Sequence, residues 1–67
     1  QDYSKAVSWL EKAANQGNAN AQGMLGAMYY AGRGVRQNYA VAKEWFGKSC
    51  DNGNQNGCDA YRTLNKR

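Results

Sequence analysis

Residues 37–56 read QNYAVAKEWFGKSCDNGNQN, and residues 1–20 read QDYSKAVSWLEKAANQGNAN. Laid at an offset of 36, the two strings keep one register. Gln1-Asp2 matches Gln37-Asn38, Tyr3 matches Tyr39, Ala6 matches Ala42 and Trp9 matches Trp45. Lys12 and Lys48, Gly17 and Gly53, Asn18 and Asn54, then Asn20 and Asn56 follow in step. Chance similarity rarely preserves aromatic, small and glycine positions together. A period of this size marks an array of stacked units, each of which leans on its neighbours to bury an apolar face.

Each unit reads as helix, turn, helix. Tyr3, Ala6, Val7, Leu10, Ala13 and Ala14 share one helical face, with Asp2 as N-cap and Gly17 as stop. Asn18 caps a second helix whose stripe is Ala21, Met24, Leu25, Met28 and Tyr29, ending at Gly32-Arg33-Gly34. Asn38 caps a third, carrying Tyr39, Ala42, Trp45, Phe46, Ser49 and Cys50, and Asn52-Gly53 ends it. A fourth carries Cys58, Tyr61 and Leu64. The expected helices run near 3–16, 19–31, 38–51 and 55–65. No stretch alternates with a strand period, so the fold class is all-α, an α/α superhelical array of about four antiparallel helices. Gly26 lies inside a helix, where glycine costs about 0.5–1 kcal/mol relative to Ala; close approach of a neighbouring helix is the expected compensation.

Composition narrows the function. In 67 residues there are 9 Lys plus Arg against 5 Asp plus Glu, and no His. That removes the usual general base and the usual nitrogen ligand of zinc. No apolar run reaches the ~18 residues of a membrane span, so no membrane insertion is expected. Ser4, Ser8, Ser49 and Thr63 have no base, no S-x-x-K occurs, and the carboxylates are scattered, so no catalytic residue is assigned. The Gly32-Arg33-Gly34 loop follows a helix and lacks the lysine of a phosphate loop. No metal site and no cofactor are expected. The basic residues are interleaved with acids, with Glu44 and Lys48 spaced for helix-surface support. Arg62, Lys66 and Arg67 suit a helix C-terminus, so nucleic acid is not an expected partner.

Cys50 and Cys58 are eight residues apart. In one helix that spacing rises about 12 Å, beyond the ~7 Å that a disulfide tolerates between α-carbons. The turn expected at Asn52–Gly57 instead sets them opposite each other, so a disulfide stapling the hairpin is geometrically natural. The alternative is a pair of buried free thiols. The matching positions of the earlier hairpin are Ala14 and Gln22.

The run Ala21, Leu25-Gly26, Tyr29, Gly32-Arg33-Gly34-Val35, Tyr39, Ala42, Trp45 and Gly53 resembles the Sel-1-like repeat family, relatives of the tetratricopeptide repeats. The resemblance covers nearly the whole chain. It implies the second half of a repeat at 1–18, a full repeat at 19–54 and the first half of a terminal repeat or cap at 55–67. Arg62 stands where Gly26 stands and Asn65 where Tyr29 stands, which suits a solvated C-terminal cap; the opening at Gln1 points to a longer N-terminal array. Cys50 and Cys58 further resemble the cysteine-rich bacterial subfamily, in which cysteines at this spacing bridge the two helices.

The resemblance implies a non-enzymatic scaffold or adaptor with a protein partner, bacterial and periplasmic or secreted, with toxin immunity among its uses. The alternative is a protein acting on β-lactam or cell-wall compounds. By analogy with tetratricopeptide arrays, the concave face is expected at Asn20, Ala27, Tyr30, Asn56, Asp59, Thr63 and Lys66. Trp45 is expected to pack on the second helix. Trp9 is expected to lack such a partner, which leaves self-association through the first helix open.

Overall fold

Every helix begins on a side chain that accepts a backbone N–H. Asp2 Oδ1 takes the N–H groups of Ser4 and Lys5 at 3.0 and 3.3 Å. Asn18 Oδ1 takes that of Ala21 at 2.9 Å, Asn38 Oδ1 that of Val41 at 3.1 Å, and Asn54 Oδ1 that of Asn56 at 3.0 Å. These contacts satisfy donors that the first turn of a helix leaves open. The computed structural model describes residues 2–66. Gln1 and Arg67, which belong to the repeat alignment and to the basic C-terminal cluster, lie outside the described residues. The helices are α1 (Tyr3–Asn15), α2 (Ala19–Ala31), α3 (Tyr39–Asp51) and α4 (Gln55–Asn65). The ends expected at 16 and 38 each fall one residue outside the helix. Gly32 ends α2 in the left-handed region, at φ 72°, and its N–H reaches the Met28 carbonyl.

Each helix packs on the next, and α4 reaches back to touch α2. The all-α array of antiparallel helices is therefore observed. Val7, Ala14, Ala21 and Leu25 form one core, with Leu10, Ala13, Met28, Val35 and Trp45 packed against it. Ala42, Phe46 and Leu64 form a second. Tyr29 packs on both and joins the hairpins. Gly26 explains the spacing of α2 and α3: a β-carbon there would stand 2.8 Å from the Phe46 ring. The expected close approach accounts for a glycine in mid-helix.

Three residues of the expected stripes are not core. Met24 is 58% exposed, and Tyr39 and Tyr61 are also exposed. α2 is packed by α1 on one side and by α3 on another, so its buried arc takes in Gln22 and Gly26 and leaves Met24 outside. Tyr39 sits at the start of α3 and stacks on Tyr30, with ring centroids 5.1 Å apart. Tyr61 lies over Gly47, and Lys43 Nζ stands 5.5 Å from its ring centre. Lys48, expected to pair with Glu44, has its Nζ 4.7 Å from the centre of the Trp45 ring.

Candidate functional site

The polar residues of the interior set how the two hairpins meet. Gln22 is buried, and both ends of its carboxamide are used. Nε2 donates to the Ala14 carbonyl at 2.9 Å, and Oε1 accepts from Asn52 Nδ2 at 2.9 Å. One side chain thus ties α1, α2 and the turn after α3. Ser49, fully buried, donates its hydroxyl to the Ala19 carbonyl at 2.7 Å. Asn54 Nδ2 reaches the same carbonyl at 3.5 Å and Asn20 Oδ1 at 3.3 Å. Buried groups that are fully satisfied in this way hold one register, since each would otherwise stand desolvated and unpaired. Among the described residues no buried side-chain nitrogen or oxygen lacks a partner.

These ties bring the N-terminal ends of α2 and α4 together and leave a groove between the two helices. A hollow of about 470 Å³ is lined by Asn20, Gly23, Met24 and Ala27 from the α2 side, and by Asn54, Asn56 and Gly57 from the α4 side. Phe46 of α3 contributes to its lining. A second hollow, about 170 Å³, continues along the helices between Tyr30 and Ala60, Thr63 and Leu64, again against Phe46. Gly57 lets α4 close on α3 at this end of the groove. A β-carbon there would come within 2.6 Å of Ser49 Cβ.

Five of the seven residues expected on the concave face line these hollows. Asn20, Ala27 and Asn56 line the first; Tyr30 and Thr63 line the second. Asp59 and Lys66 line neither. Asp59 is engaged along its own helix, accepting from Gln55 Nε2 at 3.0 Å and pairing with Arg62 at 3.5 Å. Lys66 is the exposed C-cap of α4. Sequence reasoning did not single out Met24, which it placed in the core, or Gly23 and Gly57. The only trace of the glycines was their presence inside helices. Among the described residues no formally charged side chain lines either hollow.

Cys50 and Cys58 are joined in a disulfide across the turn between α3 and α4, with their α-carbons 4.4 Å apart. Among the described residues no group of His, Cys, Asp or Glu is placed to hold a metal ion. No helix there is long and apolar enough to cross a membrane. Asp2 is held below the ordinary carboxylate range, chiefly by the Ser4 hydroxyl at 2.7 Å and then by the Lys5 N–H.

Helical hairpins of one design, clamped in register, define a helical-repeat protein. The Sel1 repeat family matches the chain at residues 1–18 and 19–54, and the chain belongs to that family. Sel1 repeat proteins are protein-interaction scaffolds. The chain is 47% identical over 45 residues to the ERAD-associated E3 ubiquitin-protein ligase component HRD3A of Arabidopsis thaliana, a span of 66% of this chain and 7% of that protein. It is 32% identical over 63 residues to the chitin synthase regulator SKT5 of Saccharomyces cerevisiae, 94% of this chain and 9% of that protein. The chain therefore spans less than a tenth of either relative. No solved structure matches it.

Proposed function

We propose that this chain is a non-enzymatic protein-binding scaffold that holds a partner in the groove between α2 and α4. The groove itself supports the reading. It is open, it lies between helices fixed by Gln22, Ser49 and Asn54, and it presents Met24 and Ala27 to solvent. Methionine is adaptable at binding surfaces, and a rigid frame lowers the ordering cost of association. The repeat frame accompanies this: half a unit at 1–18, a full unit at 19–54 and a terminal half-unit or cap at 55–67. In that cap Arg62 stays in solvent, paired with Asp59.

The compartment belongs to the same proposal. A disulfide in so small a unit supports an oxidising environment, periplasmic or extracellular, as in the cysteine-rich bacterial repeat proteins that the hairpin resembles. An adaptor, a secreted interaction protein and an immunity protein that blocks a toxin would all use one such face. The intact mass of the untreated chain should lie about two hydrogens below that of the reduced chain. Two alkylatable thiols in the native protein contradict the compartment.

A photo-crosslinking residue at position 27, introduced in cells that produce the protein, tests the face. It should trap a partner that the same residue at the exposed Ser8 of α1 does not. Equal adducts from both positions, or none from either, contradict the assignment. A chromogenic β-lactam should remain unhydrolysed; turnover that tracks the purified chain would overturn the non-enzymatic reading.

A further inference from the structure

The charges of this protein and its groove are separate. The chain carries a formal net charge of +4, yet among the described residues no charged side chain lines either hollow between α2 and α4. α2 contains no ionisable group other than its tyrosines. At one end of the groove stand three carboxamides, Asn20, Asn54 and Asn56. Asn54 is spent on the frame: its Nδ2 serves the Ala19 carbonyl and Asn20 Oδ1, and its Oδ1 serves the Asn56 N–H. That leaves the Asn20 amino group and the Asn56 carboxamide, on two residues that line the hollow, with no hydrogen-bond partner among the described residues. A carboxamide offers a donor and an acceptor together, which is what a peptide group offers in return. At the other end, Tyr30 and Leu64 flank an apolar pit against Phe46.

Resting on the protein-binding reading above, we infer that the groove takes an uncharged, extended segment of a partner polypeptide, its peptide groups held by Asn20 and Asn56 and one apolar side chain seated between Tyr30 and Leu64. The dimensions agree. Asn20 and Tyr30 are ten positions apart on α2, about 15 Å along the axis. An extended chain covers that length in about five residues at ~3.3 Å each. The complementarity is that of neutral donors and acceptors, so a charged partner would lose hydration at the groove floor and meet no counter-charge.

The full 67-residue chain, with its disulfide intact, is exposed to an array of blocked short peptides in neutral, acidic and basic classes, and to a glycan array. The best peptide is then titrated into ¹⁵N-labelled chain. The expected result is binding concentrated in the neutral class and changed less than about twofold between ~0.05 and ~0.5 M salt. Peak shifts should centre on the Asn20 and Asn56 side-chain amides, Ala27 and Tyr30. Ala27→Arg should fill the groove and weaken that peptide at least about tenfold without lowering Tm, whereas Ser8→Arg, on the exposed side of α1, should bind as the parent does. Salt-sensitive binding of charged peptides in the same groove would overturn the uncharged chemistry while leaving the scaffold reading standing. Shifts confined to α1 or the outer side of α3 would overturn the groove as the site. Groove peaks that move on dilution of the chain alone would assign the surface to a second copy instead. Binding to glycans with no peptide binder in any class would overturn both the inference and the scaffold reading.

Discussion

In the first hairpin Gln22 reaches back to the Ala14 carbonyl; in the second, at the same two places of the repeat, Cys58 is bonded to Cys50. One mechanical requirement, a brace between the end of one helix and the start of the next, is met by two chemistries. The difference follows the neighbours. Gln22 lies under α3 and shares its second group with Asn52, so a hydrogen-bonding side chain can be fully used there. Cys50 and Cys58, at the α3–α4 turn, stay partly exposed. A polar brace at that place would compete with water, whereas a covalent one does not. The tryptophans show the same asymmetry. Trp45 packs on the core shared by α1 and α2, while Trp9, at the same place one repeat earlier, is 75% exposed.

That comparison can be broken by substitution. The largest effect is expected at Trp45→Ala, which should cost about 3 kcal/mol in chemical denaturation, enough to approach the whole stability of so small a unit. Trp9→Ala should cost less than about 0.5 kcal/mol. Equal losses would mean that another molecule covers α1. Replacing both cysteines by serine should cost about 2–3 kcal/mol, the value expected for closing a short loop. Gln22→Ala should cost about 1–2 kcal/mol, because it removes two bonds at once, to the Ala14 carbonyl, which keeps the Gly17 N–H, and from Asn52. Its loss should raise the exchange rates of α1 and of the α3–α4 turn together, since one side chain serves both. A response confined to α1 would show that the bond to Asn52 contributes nothing.

The smallest effect is at the start of α1. The folded carboxyl of Asp2 lies below its ordinary range, so its contribution is present above the unfolded pKa and is lost as pH falls through the folded one. Tm of the parent should therefore exceed that of Asp2→Ala slightly near neutrality. The gap should narrow as the solution is acidified below the usual carboxylate range. A gap independent of pH would assign the cap to geometry alone.

The repeat register and the four Asn or Asp caps made the helices legible in the sequence, because both are local signals. The disulfide was legible once a turn was expected between Cys50 and Cys58. Gly26 was legible as a close contact, though Phe46 as its partner was not. The groove was legible only in part. Asn20, Ala27, Tyr30, Asn56 and Thr63 were placed by analogy with related arrays. Met24 was misread because the buried arc of α2 runs through Ala21, Gln22, Leu25 and Gly26, turned away from the side of the apolar stripe that holds Met24. Gln22 was passed over since an amide in a helix reads as surface. Its burial depends on Asn52, thirty residues away, and periodicity carries no signal of that pairing.

Hydrogen exchange of the native chain, before and after reduction, tests most directly whether the two hairpins are held by different means. With the disulfide intact, amides in α2 and α3 should be the slowest to exchange, α4 intermediate and α1 the fastest, because among the described helices α1 packs on α2 alone. Reduction should accelerate α4 until it exchanges faster than α1, and leave α1 unchanged. An α1 as protected as α3 at the outset, or a uniform acceleration of all four helices on reduction, would contradict the account.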